Sequence, residues 1–190
     1  QIVGMPYGVT SQISTTQAPT SSFFGASVLK PGYTEILMEY SEVLFLLSEA
    51  NGWSQSYYEQ GVRASMEKWN IDSAKINAFV AALPPANKQN VLTQKYVSLF
   101  MQPFEAWAEY RRTGYPNTLL LPGQSAALNV ATASGQTTYT FTSLIADLTD
   151  LPTRIYYPTT VQTLNTDNYK AASTAIGGDK MNTKLIWDKN

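Results

Sequence analysis

Residues 34–51, TEILMEYSEVLFLLSEAN, constrain the fold more than any other stretch. Ile36, Tyr40, Val43, Leu44, Leu47 and Ala50 recur at the spacing of one helical stripe. Leu37, Met38, Phe45 and Leu46 widen that stripe until little more than one side stays polar. Glu35, Glu39, Glu42 and Glu49, with Ser41 and Ser48, are assigned to the polar side. A helix this apolar must be wrapped by others, so the spacing predicts a central helix. Gly52 can take the left-handed conformation that ends it.

The following sequence supplies the wrapping. After Trp53, Ser56 and Glu59 have the spacing of a capping box, and Tyr58, Val62, Ser65 or Met66, and Trp69 form a second stripe. Gly61 costs roughly 1 kcal/mol against Ala inside a helix, which predicts close approach of a neighbouring backbone. Helix, short turn and helix make an antiparallel hairpin. Asp72 caps a third helix carrying Ile76, Phe79, Val80 and Leu83, which the pair Pro84-Pro85 ends. A fourth starts near Asn87 with Leu92, Tyr96, Leu99 and Phe100 inward. Pro103 kinks or breaks it, and Phe104, Trp107, Ala108 and Arg111 resume the pattern to Thr113-Gly114. The expected fold is therefore mainly α, with tetratricopeptide-like helical hairpins over residues 34–114. Tyr40, Tyr58, Trp69, Tyr96 and Trp107, all on helices, are read as core.

On either side the periodicity stops. Residues 1–32 are rich in Ser, Thr, Gly and Pro with Tyr7, Phe23 and Phe24 embedded, and so long an irregular segment is unusual unless it has a function. It reads either as an extended segment pinned to a neighbour at its aromatics or as a ligand loop. Residues 115–190 read as an irregular tail, of which 151–190 is expected to drape over the helices. Within it, 128–132 and 137–141 flank Ser134-Gly135 as a small β-hairpin, and Trp187 is expected to be buried near the end.

Composition narrows the chemistry. Hydrophobic residues make up 44% of the 190, enough for a core in one domain, whereas only 14% are charged. Ser, Thr, Asn, Gln and Tyr fill the deficit, and the net charge is −1. Such a surface suits neutral polar ligands and lacks the concentrated basic face of a nucleic-acid binder. The sequence contains neither Cys nor His. That removes thiolate and His-based catalysis, disulfides and His- or Cys-ligated zinc. No apolar run reaches the roughly 18 residues of a membrane-spanning helix, and no signal peptide opens the sequence.

Several strings resemble, in order and spacing, the SusD/RagB-like outer-membrane nutrient-binding lipoproteins, and within them the SusD-like branch. They are Pro6-Tyr7-Gly8, residues 40–53 (YSEVLFLLSEANGW), 57–69 (YYEQGVRASMEKW), 104–116 (FEAWAEYRRTGYP) and 151–158 (LPTRIYYP). Asn165 with Asn168-Tyr169, then Gly177-Gly178-Asp179 and 185–188 (LIWD), follow. In this resemblance the whole of 1–190 is a single SusD-like C-terminal region: a loop segment (1–32), helical hairpins (33–114) and a tail (115–190). The family's lipid-bearing Cys and early helices are absent, which implies a fragment or one of two chains. The resemblance further implies a lipid-anchored protein at the outer-membrane surface that captures a glycan or peptide and delivers it to a TonB-dependent, SusC-like transporter. Its expected partners are that transporter, an oligosaccharide or peptide, and the missing N-terminal part or a second chain. The alternatives are a helical assembly module that docks other proteins and has no ligand of its own, and, less favoured, a carbohydrate-active enzyme.

No catalytic residue, metal ligand or cofactor is assigned. Glu105 and Glu109 are neighbours on one helix face, not carboxylates set across a cleft as a glycosidase needs, and are expected to face solvent. Asp147 and Asp150 could contribute to a calcium site, but too few oxygen ligands accompany them, so loop solvation is the preferred reading. Arg111 and Arg112 fit pairing at a helix C-terminus, with Glu109 or Asp179 as acceptors, and Arg154 fits anchoring of the tail to helix ends. Binding signal lies in the aromatics, because sugar rings stack on flat side chains. Those in irregular segments (Tyr7, Phe23, Phe24, Tyr33, Trp53 and Tyr139) are free to be exposed. Ligand loops commonly precede the family's equivalent of the 34–51 helix, which selects Tyr7, Phe23, Phe24 and nearby Ser22; with Trp53, an aromatic at the turn after that helix, they are the candidate ligand-binding residues.

Overall fold

A computed structural model describes residues 2–26, 28–146 and 148–186. The chain forms two compact units, one of Gly32–Leu119 and one of Gln1–Pro31 with Leu120–Asn190.

The first unit is all helical: α2 Tyr40–Ala50, α3 Gln55–Lys68, α4 Ser73–Ala81, α5 Lys88–Ser98 and α6 Pro103–Thr113, following α1 Ser11–Gln17 of the other unit. The hairpin of α2 and α3 is its centre, with α5 against both and α4 against α3. Phe45, Tyr58, Val62, Ile76, Val80 and Val91 make the core, and Trp53, Met66 and Leu83 pack on it. The central helix is shorter than its apolar run, and its buried stripe is Ser41, Leu44, Phe45 and Ser48. The expected stripe is thus rotated, and Tyr40 is 69% exposed. The serines can face inward because their hydroxyls find acceptors: Ser48 donates to Ser54 O (2.8 Å) and Ser41 to Glu39 Oε2 (3.3 Å). Glu39 is itself buried, held by the Lys68 ammonium and by Gln102 Nε2 (2.6 Å).

Ends and breaks follow local chemistry. Asp72 Oδ1 accepts from Ala74 N (3.0 Å) and Asn87 Oδ1 from Asn90 N (2.9 Å), as helix caps do. Pro103 starts α6 rather than kinking one long helix, since it has no N–H to bond and the first turn needs none. The predicted capping box does not form. Helix α3 begins after Ser54, and Glu59 instead accepts from Gln55 Nε2 (2.8 Å). Gly61 meets a ring, not a backbone: a Cβ there would lie 2.8 Å from Cε1 of Phe45. Of the helical Tyr and Trp residues read as core, Tyr58 is fully buried, while Trp69, Tyr96 and Trp107 are half-buried.

In the second unit, α1 is capped by Thr10 and runs into a 3₁₀ turn, Ala18–Thr20. The β-hairpin pairs β1 Ser125–Ala127 with β2 Thr138–Thr140, Ala126 opposite Tyr139. The first strand thus lies before the expected 128–132, which continues the pairing loosely through Leu128 N to Thr137 O (2.9 Å) and Thr132 N to Gln136 O (2.9 Å). The tail carries two short helices that hydrophobic periodicity did not reveal, α7 Thr159–Leu164 and α8 Thr166–Ala175. Trp187 lies outside the described residues. None of the described helices is long and apolar enough to cross a membrane.

Candidate ligand-binding site

The N-terminal segment is held by polar side chains that act as substitute strand partners. Gln17, fully buried, accepts from Asn129 N (2.8 Å) and Val130 N (3.1 Å) and donates to Val130 O (2.8 Å). Asn129 Nδ2 donates to Gly4 O (2.9 Å). The Tyr7 hydroxyl donates to Leu120 O (2.9 Å) and accepts from Leu120 N (2.6 Å), and the Tyr139 hydroxyl donates to Tyr7 O (2.9 Å). These bonds join segments more than 100 residues apart in sequence; the segment is held at Tyr7 and at the amide side chains of Gln17 and Asn129, while Phe23 and Phe24 are exposed and Ser11–Gln17 is helical instead of irregular.

That pinning shapes an open groove of about 550 Å³ beside α1, within the roughly 300–1,000 Å³ of small-ligand clefts. Val9, Ile13, Phe141, Leu148 and Pro152 supply apolar lining, with Leu144 at the lip, and Thr10, Gln136, Thr140 and Thr142 supply hydroxyl and amide groups. No charged residue is among the described lining. Gly8 is required here: its φ is +71° and a Cβ would lie 2.2 Å from Cδ2 of Phe141. The Phe141 ring therefore lies on the Gly8 backbone, edge-on to Tyr7 with centroids 5.8 Å apart. A second cavity of about 420 Å³ shares Ile13 and Gln136 with the first and is lined by Gln12, Thr16, Thr132 and Ser134. Sequence reasoning missed this groove because three separated segments assemble it. Its one legible trace is Gly8 in the Pro6-Tyr7-Gly8 string.

The sequence-selected residues fall in two different units. Tyr7, Ser22, Phe23 and Phe24 belong to one unit and Trp53 to the other. Phe23 is 80% exposed and Phe24 about half exposed. Ser22 exchanges bonds with Val3, its N donating to Val3 O (2.8 Å) and its Oγ accepting from Val3 N (3.0 Å). Trp53 is half-buried against the helical core at a left-handed turn (φ 66°). Tyr139 is buried, not exposed, because its ring lies under the segment that its hydroxyl ties down.

Charged residues in the helical unit do structural work. Glu109 does not face solvent: it is buried 2.9 Å from Lys95 Nζ and 2.7 Å from Arg112 Nη2, while Glu105 is exposed. Arg112 also clasps Glu49 with two bonds (2.7 and 2.6 Å), joining α6 to α2. Those bonds hold the Glu49 carboxyl below its usual range. Burial pushes Glu42 up, against the pull of Lys95. Arg111 stacks on Trp107, its guanidinium 4.1 Å from the ring centroid. In the other unit Arg154 Nη1 donates to Asp179 Oδ1 (2.7 Å). Asp179 thus pairs with Arg154 of its own unit. Burial pushes Asp179 up, but bonds from Tyr157 N, Arg154 and Tyr169 outweigh it and hold the carboxyl low. Asp150 Oδ1 accepts from Leu151 N (2.6 Å), and Asp147 lies outside the described residues. Among the described residues no group of three or more acidic side chains could hold a metal ion.

Comparison with known proteins places this geometry. The chain resembles a SusD-like protein of Bacteroidetes AC2a at 31% identity and TM-score 0.64, covering 82% of this chain and 30% of that one. It resembles a chitin-binding protein at 30% identity and TM-score 0.59, over 80% of this chain and 33% of that one. A SusD homologue from Bacteroides thetaiotaomicron shares the fold at 23% identity, TM-score 0.58, over 85% and 40%. The chain thus spans well under half the length of these proteins. No curated protein matches the sequence. The SusD-like family described as "Starch-binding associating with outer membrane" matches residues 1–140, well over half of the chain, and the chain belongs to that family.

Proposed function

We propose that this chain contributes to non-catalytic capture of a neutral glycan at the outer-membrane surface, for delivery to a TonB-dependent, SusC-like transporter. The observation that carries the reading is the uncharged groove of the second unit, with its apolar floor and hydroxyl and amide rim. The family description and the chitin-binding relative support a glycan over a peptide. Phe23, 80% exposed in the same N-terminal segment, is an aromatic on which a sugar ring can stack. A lipid anchor on sequence outside this chain fits the same reading. The carboxylate pair that would suggest hydrolysis is divided between solvent and an ion pair, which supports capture without turnover.

Isothermal titration with neutral oligosaccharides and with short peptides tests the proposal. Binding of a neutral glycan, with affinity nearly unchanged between low and high salt because no charge pairing drives it, is expected. Phe23→Ala should weaken it at unchanged melting temperature. Exclusive binding of peptides, or steep salt dependence, would refute the glycan reading. Co-purification with a SusC-like transporter tests the delivery step. A second reading, a docking module for other proteins, is favoured by exposed apolar side chains on the helical unit, including Leu37, Tyr40 and Phe104. Transporter association with no glycan binding would select it.

A further inference from the structure

We infer that the groove beside α1 selects acetylated neutral sugars, N-acetyl or O-acetyl, by seating the acetyl methyl on its aliphatic floor. The inference rests on the glycan reading above and adds the chemical class and the place. A bare sugar ring needs a flat, accessible aromatic face, and this groove does not offer one freely. Tyr139 is buried with its hydroxyl committed to Tyr7 O, and one side of Phe141 lies against Gly8. The remaining apolar lining, Val9, Ile13, Leu144, Leu148 and Pro152, is aliphatic and suits a methyl group. An amide acceptor stands close by. Gln136 spends its Nε2 on Thr138 O (2.6 Å), leaving Oε1 to accept the N–H of an acetamido group. The adjoining cavity beyond Ile13 and Gln136 carries the Gln12 amide and the Thr16, Thr132 and Ser134 hydroxyls along an otherwise apolar wall, groups that could reach ring hydroxyls. The two cavities together thus offer an aliphatic compartment and one richer in polar groups, matching a polar chain with apolar substituents. No charge in the described lining favours acidic or deacetylated, cationic sugars.

Each buried methyl is expected to tighten binding about fourfold. The test compares tetra-N-acetylchitotetraose with cellotetraose, which share a linkage and differ at the acetamido groups, by calorimetry on the protein. The N-acetylated tetramer should bind at least about fourfold tighter. Leu144→Asn, at a fully exposed lip residue, should bring that ratio below twofold with the melting temperature unchanged. Saturation-transfer NMR on the unaltered protein gives an independent reading, with the acetyl methyls expected to be the most strongly saturated protons. Equal affinities, a preference for cellotetraose, or ring protons more saturated than the methyls would overturn the inference and leave glycan capture standing. Loss of binding in Phe23→Ala, with the acetyl preference intact in Leu144→Asn, would move the site to the loop and likewise overturn it. Binding of no glycan at all would overturn it together with the reading it rests on.

Discussion

Replacing Glu109 with Gln tests how α6 is attached to the rest of the helical unit. Lys95 Nζ lies 2.9 Å from Glu109 Oε2, and the two side chains are only 3% and 7% exposed. Removing one partner of a buried pair strands the other ion out of water and costs about 3–5 kcal/mol. The two residues are not equivalent. Glu109 has a second cation, Arg112, 2.7 Å from its Oε1, whereas Lys95 would keep longer-range attraction from Glu42 and Glu49 and no hydrogen-bonded carboxylate. Glu109→Gln should therefore cost about 3 kcal/mol. Lys95→Met should cost about 1.5–2 kcal/mol, one charge-assisted hydrogen bond lost from a carboxylate that stays paired. The double variant contains no stranded ion, because Arg112 retains Glu49, and should be more stable than Glu109→Gln alone. Urea denaturation followed by tryptophan fluorescence measures this, since Trp53, Trp69 and Trp107 all lie in the helical unit. A Lys95→Met cost equal to or above that of Glu109→Gln, or a double variant showing the sum of the two losses, would refute the reasoning.

Three further predictions follow from the same geometry. Tyr58→Ala removes a fully buried ring packed on Phe45 and should cost about 3–5 kcal/mol, whereas Trp107→Ala, half-buried under Arg111, should cost clearly less; thermal melts that rank them the other way would contradict the assigned core. The Asp179 carboxyl is held below its ordinary 3.8, so its contribution to stability is present above that value and lost as pH falls through the lower, folded value; Asp179→Asn should reduce the acid sensitivity of the melting temperature below pH 4, and an unchanged acid limb would count against it. Glu42 has the opposite sign, its folded value lying above the ordinary 4.5, so its contribution is full below that pH and declines as pH rises; Glu42→Gln should raise the melting temperature at pH 7 and have little effect at pH 4, with a fall at pH 7 as the contrary result.

Helical identity was legible because it is written locally. A cap at Asp72 or Asn87 needs only neighbours one turn away, and Pro103 restricts its own backbone whatever surrounds it. The buried side of α2 was not legible. Apolar residues run almost all the way round that helix, so periodicity could not choose between the stripe holding Tyr40 and the one holding Ser41 and Ser48. The choice came from acceptors that folding delivers, such as Ser54 O for Ser48. Helices α7 and α8 were missed for a related reason: among their described residues none is buried, so no apolar stripe marks them.

The candidate site divides along the same line. Sequence alone determined that the chain lacks His and Cys, carries little charge and is rich in hydroxyl and amide side chains, the features from which a neutral polar ligand is expected. It also carried the family strings, because those depend on residue order. Only the tertiary structure decided where an uncharged groove opens. Its floor needs Gly8, Ile13, Phe141 and Leu148 together, brought into register by Gln17, Tyr7 and Tyr139 bonding to backbone more than 100 residues away. No local propensity encodes such bonds: their partners exist only once the chain has closed on itself.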